Sequence, residues 1–286
     1  MGDKTIQDFT LIPQPIYELS SGQNPIFISE IHPKGVNEED IIRKELHFKK
    51  AFYKKILCIG NPRSGSAFTA DCLKQMGLGI EHESMGSDGV SSWMLAVNDK
   101  YPYGDVSDLY RYHFEKVIHY VRNPWDSIPS MIIENKYSPN NDSYKFRIKH
   151  INSIFGLKLK DIDIETVTTF EDLEIAITTF IYWNKICENR KPDIIFKIED
   201  LGGLKEYIVS NIIIDTSPKN AAKPYDGKIY AKPIITKNMY KKVRPELLNE
   251  LRNFCIKYNY PYILSSLNTG FNCDRYINEI EINVII

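Results

Sequence analysis

The chain lacks a charge excess, paired cysteines and a long apolar run, and each lack removes a class of function. Its 36 basic and 37 acidic residues leave a formal charge of −1. With no global field to draw nucleic acid or an anionic membrane surface, any anion site must be local. The five cysteines, Cys58, Cys72, Cys187, Cys255 and Cys273, are scattered and odd in number. They have none of the paired spacings of zinc or redox motifs and read as reduced core thiols. No uninterrupted apolar run approaches the ~18 residues of a membrane span. The start, MGDKTIQDFTLIPQP, has acids and prolines where a signal peptide needs a basic start and an apolar block. The expectation is a soluble, cytoplasmic protein with no membrane span and no nucleic-acid partner.

What is present is a core-forming composition, 43% hydrophobic and 26% charged over 286 residues. Residues 1–50 read as a polar, proline-punctuated lead-in packed on the domain, with a short helix near NEEDIIRKELHFKKAF that Asn37 can cap. Residues 51–286 read as a single domain. KKILCIGN is an apolar run ending at glycine, the form of a buried parallel strand. SAFTADCLKQMG follows at helical spacing, with Gly77 where a left-handed cap falls. LGIEHE reads as a second strand and residues 116–121 of FEKVIHYVRNP as a third. Asn123 then caps a helix whose first position is Pro124. KPDIIFKIEDL supplies a fourth strand. This alternation predicts an α/β, three-layer fold around a mostly parallel sheet, with ligands at the carboxyl ends of the strands. A helical insertion over about 134–190 reads either as a lid or acceptor-binding region or as a structural elaboration.

The stretch LCIGNPRSGSAFTADCL carries the chemistry. Gly60 and Gly65 are spaced as in the phosphate loop G-x-x-x-x-G-K-[ST], but Ser66 and Ala67 stand where lysine and the magnesium-binding hydroxyl belong. Backbone N–H groups of a strand-to-helix loop bind phosphate oxygens whatever the side chains are, and Ser64 and Ser66 can add donors. Without the lysine and the metal ligand, triphosphate hydrolysis is disfavoured. Arg63 at the crown can stabilise an oxygen whose charge grows as its bond to a transferred group breaks. That suits transfer of sulfuryl, which carries less charge than phosphoryl.

PRSGSAF, residues 62–68, resembles the 5′-phosphosulfate-binding loop of sulfotransferases, commonly Pro-Lys/Arg-Ser/Thr-Gly-Thr/Ser-Thr/Ser-Trp/Phe. Ala67 is its one departure. YVRNPWDSIPS resembles the same family's 3′-phosphate motif, with Ser130 eight residues after Arg122. An arginine leaving a strand and a serine two turns into the next helix can meet on one phosphate. FKIEDL looks like the family's Arg-Tyr-Glu-Asp-Leu strand end, with Ile198 in place of the tyrosine. The resemblance runs over roughly residues 54–260. It implies a P-loop NTPase-like sulfotransferase fold of bacterial type and an enzyme that uses 3′-phosphoadenosine 5′-phosphosulfate (PAPS). Adenosine 3′,5′-bisphosphate would be the product, and no metal is needed. The acceptor would be a hydroxyl or amine of a small molecule or glycan. The implied donor-binding residues are Arg63, Ser64, Gly65, Ser66, Ala67, Phe68, Arg122 and Ser130.

Transfer to an alcohol or amine needs a base, and the family places a His or Glu just after the second strand. Here GIEHESMGSDGVSSW offers Glu81, His82 and Glu83. Strand alternation sets Ile80 and His82 on one face and Glu81 and Glu83 on the other. Glu83 at the strand end ranks first, His82 second, with Glu81 an orienting or exposed group. His119, inside the apolar third strand, reads as a hydrogen-bonded core residue. Phe68 reads as either an adenine platform or a core residue. Lys145, Arg147, Lys149, Lys158 and Lys160 read as a basic lid for an anionic acceptor or as a solvated surface. The late basic glycine loop of cytosolic sulfotransferases has no clean counterpart, and KPYDGKIYAKP, or Lys241, Lys242 and Arg244, are the candidates to stand in for it. The competing readings are a non-catalytic nucleotide-binding protein of the same fold and a kinase-like phosphoryl transferase.

Overall fold

The computed structural model describes residues 52–99, 111–137, 142–160, 169–212 and 233–264. By its contacts the chain divides into Met1–Ala51 and Phe52–Ile286, and the described residues all belong to the second unit. The expectations for the lead-in, for the helix after Asn37, for residues 223–232 and for Cys273 lie outside them.

Five strands, β1 (Tyr53–Gly60), β2 (Ile80–His82), β3 (Gly89–Ser91), β4 (His113–Val121) and β5 (Ile194–Lys197), form one sheet. Its order is β2-β3-β1-β4-β5 and every pairing is parallel. β1 lies at the centre with residues 56–60 all buried, which is why its sequence is an unbroken apolar run. The expected strands are all present. β3 is an addition, and its three residues are too few to show a period.

The pleat sorts the core. Ile56 and Cys58 of β1 and Ile118 and Tyr120 of β4 face helix α1 (Ser66–Gln75) and the later helix Gly202–Asn211. Leu57 and Ile59 face the opposite way, onto Trp93, Phe146 and Trp183. On that second face lie α2 (Pro124–Tyr137), α3 (Asp142–Phe155) and α4 (Thr169–Asn189). The Gly202–Asn211 helix is α5; α6 (Lys237–Tyr240) and α7 (Pro245–Lys257) are the remaining α-helices among the described residues. Leu247, Leu251 and Phe254 of α7 are buried beside α2 and α4. The result is the three-layer α/β arrangement read from the alternation.

Local signals are obeyed closely. Gly77, at φ 88°, donates its N–H to Lys74 O at 2.9 Å, and Leu78 N–H reaches Leu73 O at 3.0 Å. This pair of bonds closes α1 in a left-handed cap. The Asn123 side chain accepts from Trp125 N–H at 3.1 Å and caps α2 behind Pro124. α2 runs on through Pro129. His119 is buried with Nε2 3.2 Å from Asn184 Oδ1, the core role expected of it. The described cysteines are free and buried.

One expectation changes. Arg147 is not part of a basic lid: it is wholly buried, donates to Asn135 Oδ1 at 2.6 Å and lies 5.5 Å from the Trp93 ring centre. Helical periodicity turns it inward with Tyr144, Ile148 and Ile151, also buried residues of α3. Lys149 is on the surface, paired with Asp99 at 2.7 Å.

The topology opens a crevice at one end of the sheet. α1 leaves β1 toward one face while α2 leaves the adjacent β4 toward the other, which opens a crevice between the carboxyl ends of these two strands. Gly60 ends β1 there because Tyr120 of β4 lies against it: a Cβ on Gly60 would fall 2.2 Å from the tyrosine ring and 2.6 Å from its backbone oxygen. Gly60→Ala is therefore expected to destabilise the fold by about 1–3 kcal/mol through overpacking. The check is a lowered urea midpoint at unchanged slope; a loss within about 0.5 kcal/mol would show that the contact can yield.

Candidate functional site

The loop at residues 61–65 folds on itself before α1 begins. Ser64 N–H donates to Asn61 O at 3.1 Å, and Thr69 N–H makes the first helical bond, to Gly65 O, at 2.9 Å. The amides ahead of Thr69 thus sit at a helix start that no side chain caps. Gly65 is left-handed at φ 102°, which turns the chain so that these N–H groups converge. A Cβ there would meet Ile198 at 3.1 Å, so Ile198, in the place of the expected tyrosine, packs against the loop glycine. Buried Asn61 holds the loop base, donating to Pro62 O at 2.7 Å and contacting Met131 Sδ at 3.2 Å.

The two sequence motifs meet. Arg122 Nη1 donates to Arg63 O at 3.2 Å, and Ser64 Oγ lies 3.3 Å from Ser127 Oγ. Ser64 is buried, so its hydroxyl faces α2. Ser127 is a residue the motif reading passed over; it sits one turn before Ser130, at the spacing that aligns two residues on a helix face. Ser130 is also buried, two turns into α2. Arg63 is exposed and Arg122 half-buried at the crevice. Phe68 is 45% exposed on the first turn of α1, which removes the core reading for it. Ala67 is half-buried.

The strand end FKIEDL supplies an anchor for the Arg122 turn. Glu199 accepts from Asn123 N–H at 2.8 Å and from the Tyr260 hydroxyl at 2.9 Å. Trp125 Nε1 donates to Pro261 O at 2.7 Å, closing the chain after α7 over the start of α2. Nothing local announces this contact, because its partners lie 136 residues apart.

The base region corrects the alternation argument. Glu81 pairs with Lys74 at 2.6 Å. Glu83 does not share its face, because β2 ends at His82 and Glu83 takes a left-handed φ of 53°. That turn brings its carboxylate to 3.5 Å from His82 Nε2. His82 Nε2 in turn lies 2.9 Å from Ser66 Oγ, linking the base region to the loop. The Ser91 hydroxyl of β3 fixes the same residue from below, donating to Ser66 O at 2.8 Å. A return of only six residues joins β2 to the parallel β3, which is feasible because each strand is three residues long. Among the described residues only Arg63, Glu83, Lys191 and Asn259 have positive φ without being glycine. Two of these four are candidate catalytic residues, and such strain gathers at functional sites.

Burial pushes the Glu83 carboxyl up from 4.5 to about 7, with the Glu134 carboxylate adding to the rise. A hydrogen bond from Trp93 and the positive charge of Arg63 act against it. Burial also lowers His82 from its ordinary value and so favours the neutral imidazole. The site thus has a carboxylate that titrates near neutrality, a neutral histidine and an uncapped helix start flanked by two arginines.

Among the described residues no group of three or more His, Cys, Asp or Glu is placed to hold a metal ion. No described helix is long and apolar enough to cross a membrane. Comparisons with family models, with curated proteins and with solved structures found no match.

The raised Glu83 carboxyl has a stability consequence with a fixed sign. Below about pH 4.5 it is protonated in both folded and unfolded chains and contributes nothing; between 4.5 and about 7 the folded chain holds the proton more tightly. Stability is therefore lost as pH rises through this window, and the penalty is complete above about 7. Glu83→Gln is expected to raise the melting temperature at pH 8 and to leave it nearly unchanged at pH 4.5. An equal shift at both values would refute the burial of a titrating carboxylate here.

Proposed function

We propose that the chain is a sulfotransferase that moves a sulfuryl group from PAPS to a hydroxyl or amine of a small-molecule or glycan acceptor. The observation that carries this reading is the joining of two anion motifs at neighbouring strand ends, with Arg122 bonded to the loop at Arg63 O. Such a pair suits a ligand with phosphates at both ends of one nucleoside.

The residues fit that donor. The uncapped start of α1 and exposed Arg63 suit the 5′-phosphosulfate, half-buried Arg122 with Ser127 or Ser130 suits the 3′-phosphate, and the exposed Phe68 ring suits a base. A magnesium-dependent phosphoryl transferase fits less well, because Ser66 stands where the loop lysine belongs and Ala67 has no hydroxyl to give a metal.

In the proposed reaction Glu83 takes the proton of the acceptor O–H or N–H as that atom bonds to sulfur. The bond from sulfur to the 5′-phosphate oxygen breaks, and its electron pair stays on that oxygen. Arg63 and the amides of α1 hold the charge that gathers there, more strongly in the transition state than before it. A carboxyl near 7 is well matched to this work at neutral pH, since it is partly ionised yet basic enough to accept a proton.

Adenosine 3′,5′-bisphosphate is expected to raise the melting temperature far more than ADP with Mg²⁺, and Arg122→Ala to weaken its binding by about 10- to 100-fold. Transfer from labelled PAPS to an acceptor panel should rise with pH through about 7 and fall by about 10²–10⁴-fold in Glu83→Gln. A larger response to ADP with Mg²⁺ would favour the phosphoryl transferase. Binding of the bisphosphate without any transfer would favour a nucleotide-binding protein.

A further inference from the structure

Beneath the loop lies a buried polar group that the reaction above does not use. Tyr120 stands opposite Gly60 in the β1–β4 register, and its ring occupies the space left by the missing Cβ. The residue is wholly buried, and its hydroxyl lies within the influence of Ser66 without a well-formed hydrogen bond to it. The Glu83 carboxylate acts on the same phenol through its charge. In the structure Ser66 Oγ is engaged elsewhere, 2.9 Å from His82 Nε2. A buried hydroxyl without a well-formed bond keeps much of its desolvation penalty, and the neighbouring Ser66 begins a helix that no side chain caps. A serine hydroxyl has one proton to give and two lone pairs with which to accept. Ser66 can therefore accept from Tyr120 while donating upward.

We propose that Tyr120 is a hydrogen-bond donor of the loop's oxyanion site: its O–H donates to Ser66 Oγ when Ser66 turns its own proton to an oxygen of a bound phosphate or phosphosulfate. The inference rests on the reading of the loop as an oxyanion site and deepens it by adding a second layer of donors. Each O–H in such a chain polarises the next, which strengthens the contact to the anion. The same rearrangement frees His82 Nε2 from Ser66 and leaves it beside Glu83, 3.5 Å away. Loading of the loop and the surroundings of the base are thereby coupled through one serine. Tyr120 is a positioning residue in this scheme, since it reaches the anion only through Ser66.

The test is Tyr120→Phe, which removes one oxygen and keeps the ring against Gly60. Loss of a poorly paired buried hydroxyl should raise the melting temperature of the unliganded protein by about 2–4 °C. Binding of adenosine 3′,5′-bisphosphate and of inorganic pyrophosphate, followed by isothermal titration calorimetry, should weaken about tenfold. Adding Tyr120→Phe to Ser66→Ala should weaken binding no further than Ser66→Ala alone, because the donor chain is already cut. Unchanged affinity in Tyr120→Phe, with or without a loss of stability, overturns the inference and leaves the donor assignment standing. Pyrophosphate binding that weakens in the variant, in a protein that ignores the bisphosphate, supports the inference and removes the PAPS reading. A wild-type protein that binds neither anion overturns both.

Discussion

The pairing of β1 with β4 is the contact on which the site depends. The two strands run in parallel register from Tyr53 opposite His113 to Gly60 opposite Tyr120, so their ends emerge side by side. The chain then leaves them on opposite faces of the sheet, into α1 and α2. Everything local to the two motifs could be intact and still useless if this register slipped, because a parallel pair holds its neighbours by evenly spaced bonds along the whole edge. The close approach of Tyr120 to Gly60 pins that register at the end where it matters. Arg122 is within reach of the Arg63 carbonyl as a consequence.

The electrostatic character of the crevice comes from a concentration of small effects in a nearly neutral chain. A helix start with unsatisfied N–H groups carries about half a positive charge, and Arg63 and Arg122 add whole ones beside it. On the other side Glu83 lies half-buried within range of both Glu134 and Arg63. Burial and the neighbouring carboxylate outweigh the arginine and the Trp93 hydrogen bond, and the outcome is a carboxyl close to neutrality. The chemistry proposed needs both features in one place: fixed positive charge for a leaving oxygen and a titrating base within the same crevice.

These features cost stability, and the fold supports them with unusually secure surroundings. Two non-glycine residues in left-handed conformations, Arg63 and Glu83, each carry a strain of order 1–2 kcal/mol. They are held by the buried carboxyl half of β1, by Asn61 beneath the loop and by the six-residue return between β2 and β3. At the other strand end Glu199 accepts from the Arg122 turn and from Tyr260 at once, so the late segment after α7 steadies a turn formed far earlier in the chain.

Much of the architecture was readable from local signals, because those signals are local in cause. The apolar run ending at Gly60, the cap at Gly77 and the Asn123–Pro124 start each depend on a few neighbouring residues, and each appears where expected. The order of strand, glycine turn and helix around Arg63 and Gly65 was legible for the same reason. The three-residue β3 was not, being too short to show a period, nor was the burial of Arg147, because a charged residue on an apolar helix face reads as surface until a buried partner such as Asn135 is known. The face of Glu83 was misread because alternation holds only while the chain stays extended, and this residue turns left-handed one step beyond β2. Only the tertiary structure decided that Ser127 faces the loop, that Glu199 and Tyr260 hold the Arg122 turn, and that the buried Tyr120 hydroxyl comes near Ser66 without a well-formed bond. Sequence alone determined which segments extend, coil and turn, through interactions a few residues in range. Which side chains meet at the crevice was set by strand order and register, which join residues 59 to 136 positions apart.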